Sequence, residues 1–177
     1  METLLAILAG LILMSSLVKT GLLPIKIRLV VAVCYAVFIG CVTQRMTELS
    51  HEVFVQMTAS RSILLDVAVC VILEAVVMMA YCFWSPKQKI WRVLLEYEPV
   101  LLAIPALSYF QAQLLYVLPG VDYGWVAWLS AGFVLFLMLG GSLLLRWLLR
   151  ERHLLQELLF IINLMIVILC VAITGYY

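Results

Sequence analysis

The sequence predicts an all-α protein: a polytopic transmembrane helical bundle with six spans, two short amphipathic interfacial helices, and both termini on the non-cytoplasmic side. Three observations carry that prediction. Of the 177 residues, 67% are hydrophobic and 12% charged, with a mean hydropathy of +1.18, whereas soluble domains are roughly half apolar and a quarter charged. Apolar runs of about 20 residues, the length that crosses a hydrocarbon core of roughly 30 Å, recur along the chain. With their connections they occupy nearly all of it, so 1–177 reads as a single integral membrane domain. Three Lys or Arg follow each of spans one, three and five, against two after span two and none after span four. An excess of Lys and Arg marks cytoplasmic connections.

The first span, about 3–18, is short and borrows length from its flanks. Glu2 stands where a cleaved signal would carry a basic region, so a retained span is expected. Ala6 and Gly10 form a small-x-x-x-small pair suited to helix approach. A basic link with Lys19, Lys26 and Arg28 around Gly21 and Pro24 precedes span two, about 27–43, and Lys26 and Arg28 can snorkel to the interface. From Gln44 to Arg61 the chain turns polar, while Met46, Leu49, Val53 and Met57 recur as an amphipathic helix requires.

Span three, about 62–84, carries Asp66 and Glu74, two turns apart on broadly one side. The stretch after Trp84 reads as a second interfacial helix, with Ser85, Pro86 and Gln88 at its start forming a capping box. Span four, about 100–118, contains Pro105, expected to kink it, and the polar run Ser108, Tyr109, Gln111 and Gln113. A turn at 119–124 implies an antiparallel hairpin with span five, about 125–145, whose Ala127, Ala131, Gly132, Gly140 and Gly141 offer small-residue packing faces. Arg146, Arg150, Arg152 and His153 flank the last span, about 154–175, in which Gln156 and Glu157 lie near the start and Asn163 deeper. Trp147, Tyr176 and Tyr177 suit aromatic belts.

An ionised carboxylate in hydrocarbon costs at least a few kcal/mol, so an intramembrane acid is turned inward, paired or protonated. Glu74, near mid-membrane, is therefore the leading site candidate. Asp66, Glu157, Asn163, Gln111 and Gln113 are the other groups expected to converge on a proton or cation path or on inter-helix pairing. The acids lack a basic residue at comparable depth, which points to pairing with partner helices.

Five cysteines at 34, 41, 70, 82 and 170 lie inside spans with no C-x-x-C, and are expected to be buried structural thiols. Neither His51 nor His153 lies in a span, so no haem, metal or other cofactor is expected. No nucleophile with its base is spelled out, which disfavours an enzyme. A formal net charge of +1 with dispersed basic residues argues against nucleic acid.

The expected function is that of a small membrane subunit of a larger protein complex, with the lipid bilayer and other membrane subunits as partners, supporting proton or cation movement through its acids. A small secondary transporter or solute-uptake permease is the alternative. The two three-span halves would have opposite topology, the arrangement of inverted-repeat transporters, although their residue-level similarity is too thin to establish duplication. A plasma or bacterial inner membrane is the expected location.

Overall fold

The computed structural model describes residues 2–46, 60–83, 100–117 and 121–175. They form six helices: α1 (Glu2–Leu22), α2 (Ile25–Met46), α3 (Arg61–Phe83), α4 (Ala103–Val117), α5 (Tyr123–Leu148) and α6 (Arg152–Gly175). Five of them, all but α4, are long and apolar enough to cross a membrane, as in a multi-pass membrane protein. Their outer faces bear large apolar side chains such as Leu73, Trp128 and Phe136. Such continuous apolar surface is rare on soluble monomers.

Contacts fix the helix directions. Leu17 and Gly21 of α1 lie against Gly141 and Ser142 of α5, so those helices run parallel. Tyr35 and Thr43 of α2 bond Val100 and Gln111 in the same order along the chain, making α2 and α4 parallel. Cys82 near the end of α3 meets Gln156 near the start of α6, and Phe83 packs edge-on against Phe160, so these two are antiparallel. Helices α1, α3 and α5 therefore run one way and α2, α4 and α6 the other.

Each helix of the first half packs on its counterpart in the second: α1 on α4, α2 on α5, α3 on α6. Exchanging the halves maps α1·α5 onto α2·α4 and α1·α2 onto α4·α5, and all four pairs pack. One relation fails. Helix α1 packs extensively on α6, whereas among the described residues α3 and α4 are not a packed pair.

Three expectations change. Span one does not stop at 18, because Lys19 is buried and α1 continues to Leu22. Pro105 does not kink α4: the helix begins at Ala103, so Pro105 sits in its first turn, where the amide that proline lacks has no intrahelical partner. At 15 residues, α4 is about 22 Å long by the 1.5 Å rise. Cys34, Cys41 and Cys70 are exposed on the outside of the bundle and only Cys170 is buried, the former because their turns face away from the neighbouring helices. Residues 44–46 extend α2 and residue 61 opens α3. The remainder of the two expected interfacial helices lies outside the described residues.

Candidate functional site

The short helix α4 explains the acid in α3. The amides of Ala103 and Ile104 close on the Val100 and Leu101 carbonyls and Pro105 has none, so the Leu102 amide is the one whose partner comes from outside the segment. Leu102, just before the helix, donates its N–H to Glu74 Oε2 at 2.9 Å. Glu74 thus caps the N-terminus of α4, where the aligned peptide dipoles also favour negative charge. The other side of the same segment is held by Tyr35 of α2, whose hydroxyl donates to the Val100 carbonyl at 2.8 Å. The irregular backbone ahead of α4 is thus satisfied by protein groups on both sides.

Beside Glu74, α1 and α6 are joined by a polar pair. Asn163 Nδ2 donates to Ser15 Oγ at 3.1 Å and to the Leu159 carbonyl at 2.7 Å, and the Ser15 hydroxyl lies 3.4 Å from Asn163 Oδ1. Ser15, Glu74 and Asn163 share a cavity of about 10 Å³ with Val100 and Leu102. That is about the space of one water molecule, and Ser15, Glu74 and Asn163 bring polar groups to an otherwise apolar lining.

A cationic shoulder lies one helical turn away. Lys19 is only 2% exposed, its Nζ 3.2 Å from Met78 Sδ and 6.0 Å from the centroid of the Tyr81 ring. Met78 is one turn beyond Glu74 on α3, so the expectation of no basic residue at comparable depth does not hold. Arg28 does not snorkel to the interface as expected: it is completely buried. Its Nε donates to the Thr20 carbonyl at 3.1 Å and its Nη2 to those of Gly21 and Leu23 at 2.9 and 3.1 Å. The guanidinium fork closes the C-terminus of α1, where four carbonyls lack partners. The sequence signal was present: Arg28 lies one turn into a helix that follows a two-residue link, within reach of the preceding helix end.

The expected convergence of six polar residues is only partial. Glu74 and Asn163 meet. Gln111 is buried on the opposite face of α4 and donates to Thr43 Oγ1 at 2.9 Å. Gln113, two residues on, is half-buried. Asp66 is exposed on α3, and Glu157 is exposed near the start of α6, where it pairs with His153 Nδ1 at 3.1 Å. Helical rotation separates the groups: spacing along a helix placed Asp66 and Glu74 on one side only broadly, and the buried stripe is narrow enough to take one and leave the other.

The packing candidates divide likewise. A Cβ on Gly141 would sit 3.2 Å from Leu17 Cδ2, a close approach of α5 to α1, and one on Gly21, which was not foreseen, 3.6 Å from the Ser142 carbonyl oxygen. Gly10 and Gly132 face open space, and a Cβ on Gly140 would meet only Phe136 of its own helix. Ala6 is half-buried on α1. Ala127, Ala131 and Gly132 instead line a shallow groove between α2 and α5.

Among the described residues no group of three His, Cys, Asp or Glu side chains could hold a metal ion. Comparison of the chain with protein-family models, curated proteins and solved structures gives no match.

Proposed function

We propose that the protein supports proton-coupled transport across a membrane, with Glu74 as the group that takes up and releases the proton. The observation that carries this reading is the Glu74 carboxylate on the N-terminus of α4, the shortest of the described helices, beside a water-sized cavity that Ser15 and Asn163 also line. Interrupted helices whose ends meet at the midplane are where transporters place substrate and coupling ions. The position accommodates both protonation states. The carboxylate accepts the Leu102 N–H, and the neutral acid keeps one acceptor oxygen for it while gaining a proton to donate toward a water or the Ser15–Asn163 pair.

Under this reading the end carrying Lys19, Lys26, Arg28, Arg146, Arg150 and Arg152 is cytoplasmic, six segments cross the bilayer with α4 as the short one, and the membrane is a plasma or bacterial inner membrane. Labelling with dicyclohexylcarbodiimide, an apolar reagent for protonated carboxyl groups, tests the site in the full chain in vesicles. Glu74 labelling that falls as pH rises, together with loss of proton flux driven by a potassium diffusion potential in the Glu74→Gln variant, is the expected result. Labelling independent of pH, or unchanged flux in the variant, overturns the reading.

A second reading, a subunit of a larger membrane assembly, is favoured by one feature. Gly40, Ala127, Ala131 and Gly132 line a groove of about 540 Å³ between α2 and α5, and small residues allow close approach of a further helix. Stoichiometric foreign subunits after gentle detergent extraction would support it; a homogeneous monomer or homodimer would remove it.

A further inference from the structure

We infer that the cleft bounded by α1, α3 and α4 binds one hydrocarbon chain of a membrane lipid from the leaflet opposite the basic end of the bundle. The cleft has a volume of about 430 Å³, within the roughly 300–1,000 Å³ of small-molecule sites. Its walls are Leu5 and Ile12 of α1, Ile63 and Val71 of α3, and Pro105 and Tyr109 of α4. The polar side chains on them contribute little. The Ser108 hydroxyl is turned back on the Ile104 carbonyl at 3.0 Å. A cavity so lined stays dry unless an apolar group fills it.

Shape and place identify that group. The cleft follows α3 from Ile63 to Val71, about 12 Å by the 1.5 Å helical rise, close to the roughly 15 Å of hydrocarbon in one leaflet. It exists because α3 and α4 are not packed together where their counterparts α6 and α1 are, so it lies at the gap in an otherwise paired arrangement. Its deep end is formed by Val71 and Leu102, which also line the Glu74 cavity, and its other end by Leu5, Ile63 and Tyr109 at the non-basic end of the bundle. A chain anchored at that interface enters tip first and stops beside Glu74, covering it from that leaflet. The inference stands on the cleft and does not require the proton chemistry proposed above.

The test uses the full chain in vesicles of phosphatidylethanolamine and phosphatidylglycerol, with a fraction of lipid carrying a diazirine near the methyl end of one acyl chain. Irradiation should crosslink Val71 or Leu102, and one lipid per chain should survive detergent washing in native mass spectrometry. Two variants fill the cleft from different walls, Val67→Trp from the exposed side of α3 midway along it and Ala106→Phe from the buried side on α4, so that failure of one to fold leaves the other. Either should lower the Val71 and Leu102 crosslinks at least fivefold and abolish the retained lipid, while crosslinks to Phe136 on the outer face of α5 stay unchanged. Equal labelling of cleft and outer-face residues with no effect of the variants overturns the inference. So does exclusion of lipid because another segment of the chain fills the cleft, read out with a photoreactive amino acid substituted at Val67 as protein–protein crosslinks in place of lipid adducts.

Discussion

At the scale of single residues, the most consequential polar groups are those that close helix ends inside the bundle. Arg28 serves three carbonyls of the α1 terminus while completely buried. An unpaired buried acceptor costs about 1–3 kcal/mol; the Thr20 carbonyl keeps the Leu23 N–H, so removing the shared donor strands the Gly21 and Leu23 carbonyls. Arg28→Met should therefore lower unfolding stability in detergent micelles by about 3 kcal/mol, and Arg28→Lys should restore less than half, because an ammonium lacks the planar fork. A loss under about 1 kcal/mol in Arg28→Met, by thermal or dodecyl sulfate titration, would show that those carbonyls find other partners. Asn163→Leu removes a polar pair between membrane helices, and such pairs average about 0.6 kcal/mol. It should cost about 1 kcal/mol, a third of the arginine effect. Glu74 was legible in the sequence because a carboxylate inside an apolar run is anomalous in itself. Arg28 was less so: its place one turn after a short link was visible, but a basic residue beside a turn reads as an interfacial one, and only the fold-back of α2 onto α1 shows the cap.

At the scale of helices, length and apolar content located five of the six well, and their boundaries moved by a few residues, at the end of α1 because the buried Lys19 was taken as the span end. The shortness of α4 was less legible. Its apolar run, about 100–118, is as long as a span, but among the described residues the helix begins only at Ala103, and Leu102 bonds a carboxylate in place of continuing the helical ladder. With Pro105 in the first turn of α4, Pro105→Ala should change stability by less than about 0.5 kcal/mol, whereas a proline in a helix interior costs about 3 kcal/mol. Micelle unfolding distinguishes the two. Small residues gave a similarly mixed signal, since composition cannot tell a glycine facing a helix from one facing open space. Gly141→Val crowds Leu17 and should cost about 1–3 kcal/mol by overpacking. Gly10→Val, with nothing within 4 Å, should be tolerated within about 0.5 kcal/mol, as substitutions away from packed features are. Similar losses in both would mean that Gly10 also meets a neighbour in the membrane.

At the scale of the whole molecule, the alternation of helix direction and the distribution of charge agree without having been derived from each other. Among the described residues, α1 ends, α2 begins, α5 ends and α6 begins at one end of the bundle. There Lys19, Lys26, Arg28, Arg146, Arg150 and Arg152 gather, while Arg45 near the end of α2 and Arg61 at the start of α3 lie at the other. Basic residues resist translocation across the membrane, so the crowded end should remain cytoplasmic and the link between α4 and α5 should face the opposite compartment. That link and the α5–α6 link are separated by the whole of α5, 26 residues or about 39 Å by the helical rise, more than the roughly 30 Å hydrocarbon core. Cysteine placed at either link, in a background with the five native cysteines replaced by alanine, can be probed from one side with a membrane-impermeant maleimide. The Asp122→Cys variant should react in intact cells, and the Arg150→Cys variant only after permeabilisation. Reaction of both from the same side would mean that α5 does not cross the bilayer. The paired antiparallel architecture would then have to lie outside the membrane, a setting that its apolar outer faces make unfavourable.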